Sequence, residues 1–177
     1  MKTTKLLLGL VVAITIGFLS FHLFTTQLSN GELPQLQEVV EEKPKFTEVE
    51  VTDPVLIIVN RYRTEAGLKP LRQITELEKS ATFKANKMLE LNCWAHDCGN
   101  SWVDDFNTSG LPYLAGGENL AQNYGGDYER LVKAWVDSPK HHDVMFGDYE
   151  FAGIGYAHGH FLDTANNEIV ALHVAKL

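Results

Sequence analysis

Apolar positions change their spacing along this chain, and the changes mark out its elements. Asp53-Pro54 reads as an N-cap followed by proline at the first helical position. Val55, Ile58, Val59 and Tyr62 then recur at helical spacing, and Gly67 predicts the end of that helix. Thr75-x-x-Glu78 has the form of a capping box opening a second helix, with a buried stripe of Leu77, Ala81, Ala85, Met88 and Leu89. From Asn92 to about Asp127 the periodicity fails and glycines gather at 99, 110, 116, 117, 125 and 126, so this stretch reads as loop. Asp127 predicts the cap of a third helix carrying Leu131, Val132 and Trp135, and Ser138-Pro139 starts a short one running to Met145. Two strand-like runs follow, at Phe151–His158 and Glu168–Ala175. Helices first and strands last predict an α+β domain rather than alternating βαβ units.

The N-terminus has a different pattern. Lys2 and Lys5 precede an apolar stretch from Leu6 to Phe24. About 19 residues at helical rise just span a hydrocarbon core. A cleaved signal peptide has a shorter apolar core and a small-x-small site, and no such site is clear here. Residues 1–24 are therefore read as a transmembrane signal anchor with the lysines inside, and secretion after cleavage is the alternative. Residues 25–52, with Pro34, Pro44 and a run of glutamates, read as an extended acidic linker. Residues 53–177 form the folded domain, long enough for one core. The body of the protein is expected outside the cytoplasm, at the cell membrane.

Charge narrows the partners. The 177 residues carry a formal net charge of -8 with no basic stripe. Such a chain repels phosphate backbones, which argues against nucleic acid. The membrane remains a partner through the N-terminal segment.

The candidate chemistry lies in the loop-rich middle and the short helix. His96, Glu118 and His141 are two imidazoles and a carboxylate, a set suited to a divalent metal such as zinc or to acid–base work. Spacing does not bring them together by itself. The only two cysteines, Cys93 and Cys98, flank His96. In an oxidising compartment a disulfide is the first reading, free thiols the second and a metal site with His96 the third. His142, His158 and His160 read as surface groups, Trp102 and Trp135 as core or loop plugs, and Asn60 and Arg63 as ties between the first helix and the rest.

Four motifs occur in order. Asn60-Arg61-Tyr62-Arg63 leads to Gly67-Leu68-Lys69-Pro70-Leu71, and Gly117-Glu118-Asn119-Leu120 follows. Then come Trp135-Val136-Asp137-Ser138-Pro139-Lys140-His141 and Gly153-Ile154-Gly155-Tyr156. Together they resemble the bacterial members of the CAP family (cysteine-rich secretory, antigen 5, pathogenesis-related). The resemblance implies an α-β-α sandwich around a central antiparallel sheet, with a cleft of two histidines and two acids. His96, Glu118 and His141 match three of the four. Ser138 stands where the second acid is expected. Val59 replaces a histidine of eukaryotic members, and His173 stands on the final strand where bacterial relatives tend to have glutamine.

These readings predict a binding or cell-surface interaction module that takes a cell-wall, lipid or protein ligand. The alternative is a metal-dependent, peptidase-like hydrolase with Glu118 as base and His96 and His141 as zinc ligands. The missing second acid favours binding. No serine with a positioned base is evident, because Ser138 reads as an N-cap.

Overall fold

The computed structural model describes residues 45–177, Tyr124 excepted. The span read as a signal anchor and the linker as far as residue 44 lie outside them. Among the described residues no helix is long and apolar enough to cross a membrane.

The first helix forms as its sequence dictates. The Asp53 carboxylate caps α1 (Pro54–Glu65) by accepting from the backbone N–H of Leu56 at 3.0 Å, and Gly67 turns the chain away at φ 77. β2 (Arg72–Ile74) leads into α2 (Thr75–Glu90), and α3 (Trp102–Asn107) is a single short helix. β3 (Ala115–Asn123) precedes α4 (Tyr128–Asp137) and α5 (Pro139–Met145). The chain ends in a long hairpin of β4 (Phe151–Phe161) and β5 (Thr164–Lys176).

Three readings change. The segment 92–127 is not all loop: it contains α3 and the nine-residue strand β3. The Thr75–Glu78 capping box does not form, because Ile74 is the N-cap residue and Glu78 accepts the Gln73 amide instead. The end of the acidic linker is part of the sheet. Glu48–Val49 forms β1, paired with β2, and Phe46 stacks edge-on against Phe151 with centroids 4.7 Å apart.

The sheet order is β1-β2-β4-β5-β3. It is antiparallel throughout except that β2 runs parallel to β4. Alternate residues of a strand face opposite sides, and both sides are covered. Val170, Leu172 and Val174 pack with Val55, Val59, Val132 and Trp135 of α1 and α4. Ile169 and Ala171 pack with Ala81, Ala85 and Met88 of α2. The observed arrangement is therefore helices, sheet, helices.

α2 lies against β4 more closely than side chains would allow. A Cβ on Gly153 would sit 2.1 Å from the Glu78 nitrogen, and one on Gly155 would sit 2.1 Å from the Ala81 carbonyl carbon. Only glycine admits helix backbone this near the strand. The contact seats the buried stripe of α2 on β4 and β5, with Ser80 reaching His173 and Lys84 reaching Glu118, where the site forms. On the other side, Arg63 is buried and donates to the carbonyls of Lys69, Met145, Gly147 and Tyr149, while Asn60 pairs with the backbone of Leu71 at both its amide atoms. These are the ties expected of both residues.

Candidate functional site

Glu118 is the centre of the site. It stands on β3 directly opposite His173 of β5. Its side chain is only 1% exposed, so an unpaired charge there would be costly. Both oxygens are engaged. His96 Nδ1 lies 2.7 Å from Oε1, and His173 Nε2 lies 3.0 Å from Oε2. Lys84 of α2 adds its ammonium 3.9 Å from Oε1. Burial alone would push the Glu118 carboxyl upward. The hydrogen bonds from His173 and His96, with the charges of His173 and Lys84, outweigh burial and hold it below its ordinary value.

The network continues inward. The Ser80 hydroxyl lies 2.8 Å from His173 Nδ1 and 3.1 Å from the Leu77 carbonyl. Its one proton can serve either acceptor. Lys84 also donates to the His96 carbonyl and sits 3.3 Å from Asp105, which takes a second lysine, Lys87, at 2.7 Å. Two ammonium groups thus balance the carboxylates of Glu118 and Asp105. Ser80, Lys84, Asp105 and His173 are fully buried, and His96, with 49% of its side chain exposed, is the outer end of the chain.

His96 lies on a loop pinned three ways. Cys93 and Cys98 are joined in a disulfide, the first of the three readings for this pair. Lys84 holds the loop's backbone, and Glu118 holds the ring.

His141 joins by another route. β3 is one of the two edge strands, and Asn119, the next residue after Glu118, faces the opposite side of the sheet. Its amide donates to the His141 carbonyl at 2.9 Å. The His141 ring turns Nδ1 toward the Ser138 hydroxyl at 3.0 Å. Burial first, and repulsion from His96 second, push the His141 imidazole below its ordinary value. His141 and Ser138 line a cleft of about 380 Å³ beside the edge of β3, with Leu120, Arg130, Leu131 and Trp135.

The structure therefore bonds His96 to Glu118 and places His141 nearby on a separate hydrogen-bond set. Among the described residues no group of three or more His, Cys, Asp or Glu side chains could hold a metal ion, and the expected set of His96, Glu118 and His141 does not form one. The chemistry agrees, since both oxygens of Glu118 already accept ring N–H groups. Ser138 is also different from its reading. It occupies the N-cap position of α5, but its side chain makes no capping bond.

Four residues of the network escaped sequence reading: Ser80, Lys84, Asp105 and the inward role of His173. Ser80 and Lys84 carried a signal, falling three and seven residues after Leu77 and so on the helix's buried stripe. Trp135 is core as expected, its indole donating to the Leu120 carbonyl at 2.9 Å. His142 is exposed and stacks on Phe146, while His158 lies at the surface against Glu168 at 2.8 Å.

Comparison with known proteins follows the same lines. The family model of the cysteine-rich secretory protein family, CAP, matches residues 56–167. The chain belongs to the CAP family. It is 32% identical over 105 residues to the uncharacterised protein YkwD of Bacillus subtilis (strain 168), a match over 58% of this chain and 40% of that protein. The chain thus spans well under half the length of this CAP relative. Among solved structures, an extracellular protein containing an SCP domain from Bacillus anthracis superposes with a TM-score of 0.59 at 16% identity, covering 70% of this chain and 39% of the other. An outer surface protein from Borrelia burgdorferi gives 0.58 at 22% identity, covering 75% and 98%. These two likenesses concern the fold alone.

Proposed function

We propose that the chain is an extracytoplasmic CAP domain that works by binding, as an interaction module held at the cell membrane by its N-terminal segment. One observation carries the binding reading: both oxygens of the buried Glu118 carboxylate are committed to His96 and His173. A carboxylate so engaged is a poor general base and a poor ligand, and its role is to tie the His96 loop and β5 to β3, the strand that borders the cleft. The ligand is a cell-wall, lipid or protein component of the envelope, met at the cleft beside β3.

The extracytoplasmic reading draws on the Cys93–Cys98 disulfide, which persists in oxidising compartments. It also draws on the relatives described as extracellular and outer-surface proteins. Membrane attachment rests on Lys2 and Lys5 ahead of the apolar run Leu6–Phe24.

The test uses the full chain in mild detergent. Wild type should sediment with washed cell envelopes in a saturable way, and Ala134→Trp, which fills the cleft that Ala134 lines, should weaken this about tenfold or more at unchanged Tm. Equal binding by both proteins would remove the cleft from the reading. Zinc-dependent proteolysis by the wild type, absent from a Glu118→Gln protein that is still folded, would replace binding with the metal-dependent hydrolase.

A further inference from the structure

Ser138 and His141 have no part in holding the Glu118 network. Ser138 sits where serine ordinarily caps a helix, yet its hydroxyl forgoes the capping bond. Oγ lies instead 3.0 Å from Nδ1 of His141. Among the described residues, this hydroxyl is the only hydrogen-bond partner of the ring. Both side chains are half-buried and both line the cleft beside β3. The histidine is held from behind, because Asn119 binds its carbonyl at 2.9 Å.

A hydroxyl in hydrogen-bond contact with an imidazole, at the wall of an open cleft, is the arrangement that activates serine as a nucleophile. The neighbouring Glu118 is committed elsewhere, so the chemistry this cleft can perform falls to this pair. We propose that Ser138 is a nucleophile with His141 as its general base, and that the cleft hydrolyses small carboxylic esters through an acyl-serine. About 380 Å³ of space, with Leu120, Leu131 and Trp135 among its lining, fits a short apolar acyl group.

The steps balance without a further reagent. Oγ of Ser138 bonds to the ester carbonyl carbon as its proton passes to Nδ1 of His141. The tetrahedral adduct collapses by breaking the bond to the alcohol oxygen, which leaves with that proton. Water then attacks the acyl-serine, giving its proton to His141. The bond to Oγ breaks, the carboxylic acid departs, and Ser138 recovers its proton. This activity goes beyond the binding reading and stands or falls independently of any envelope ligand.

The test treats the full chain with a fluorophosphonate, which forms a phosphorus–oxygen bond to an activated serine and releases fluoride. Intact mass and peptide mapping should find one adduct per chain, on Ser138. Ser138→Ala should remain folded, since it loses only the bond to the His141 ring and no capping bond, and should take no adduct. His141→Gln should slow labelling, and the hydrolysis of p-nitrophenyl acetate, by about 10²-fold or more. If His141→Gln fails to fold, labelling of wild type by an uncharged against a bulky branched probe gives a second reading, with the bulky probe excluded by the cleft. An unlabelled wild type of native Tm overturns the proposal. So does an adduct mapped to another residue, or an unchanged rate in a folded His141→Gln.

Discussion

His173 faces Glu118 directly across the β3–β5 pair, its Nε2 3.0 Å from Oε2. The contact converts a histidine buried in an apolar strand into the inner support of the site. Glu118 in turn joins the sheet to the exposed loop through His96, and α2 to both through Lys84. The carboxylate is thus the common partner of three elements that pack from different directions.

Removing that charge should therefore unsettle the fold rather than a reaction. Glu118→Gln leaves Lys84 and Lys87 against Asp105 alone, and an amide cannot accept two ring N–H groups at both ends. Breaking a buried ionic set by removing one partner costs roughly 3–5 kcal/mol. Urea unfolding should show a loss of that order, and a variant as stable as wild type would mean the network contributes little. The same lowered carboxyl sets an acid limb. The group's folded value is below its unfolded one, so its stabilisation is present above about pH 4.3 and is lost as the pH falls through the folded value. A folded Glu118→Gln should lack that part of the limb.

Much of the frame was legible, and what was hidden has a common cause. Asp53-Pro54 and Asp127 announce α1 and α4 because capping is local, and the long β4 and β5 announce themselves by apolar runs. β3 was hidden because Gly116-Gly117 reads as loop and because Glu118 and Asn119 are both buried, on opposite faces, which erases alternation. An edge strand wrapped by helices on both sides has no polar face to display. Lys84 was hidden for a related reason: its charge argues for solvent, and only Asp105, twenty-one residues later, supplies the reason it is buried. His96 and His141 were visible as candidates, but that they serve separate hydrogen-bond sets depends on which side of β3 each approaches.

The two histidines should report on each other. Burial and the charge of His96 disfavour protonation of His141. Its folded value thus lies below that of the unfolded chain, which takes up the proton first as the pH falls below about 6.5, so the His141 contribution to stability is lost below that point. NMR titration of wild type should give His141 a midpoint under about 6.5. His96→Ala removes the repulsion, so the midpoint should rise. An unchanged midpoint would mean that the rings do not share a field.

Reduction should be felt at His96 before it is felt in the core. The disulfide closes a loop of sequence separation 5, which stabilises by about 2 kcal/mol in the chain-entropy model. A paired Cys93→Ser and Cys98→Ser variant should lose about that much in urea unfolding. Its α2–β4 packing, which the glycines set, should persist, while the His96 ring signal broadens or shifts as its bond to Glu118 weakens. A variant with a sharp, unshifted His96 signal would show that Lys84 and Glu118 suffice to hold the loop.

The glycines of β4 offer a graded test of how α2 is seated. At Gly153 and Gly155 an added Cβ would meet helix backbone at 2.1 Å, and backbone cannot move aside without lifting α2 off the sheet. At Gly159 the nearest atom is a methyl of Leu89 at 3.1 Å, the end of a side chain that can rotate. Gly153→Ala and Gly155→Ala should therefore each lose about 3 kcal/mol or more, at or above the usual range for overpacking, and Gly159→Ala under about 1 kcal/mol. Gly153 carries a second readout, because it pairs with His173 and its clash lies at Leu77 and Glu78, the turn before Ser80. Raising that turn draws Ser80 from His173, so any folded Gly153→Ala should also shift the His173 ring signal, whereas Gly159→Ala should not. Equal losses at the three positions would mean that α2 is held by its side chains and not by the near contact of its backbone with the strand.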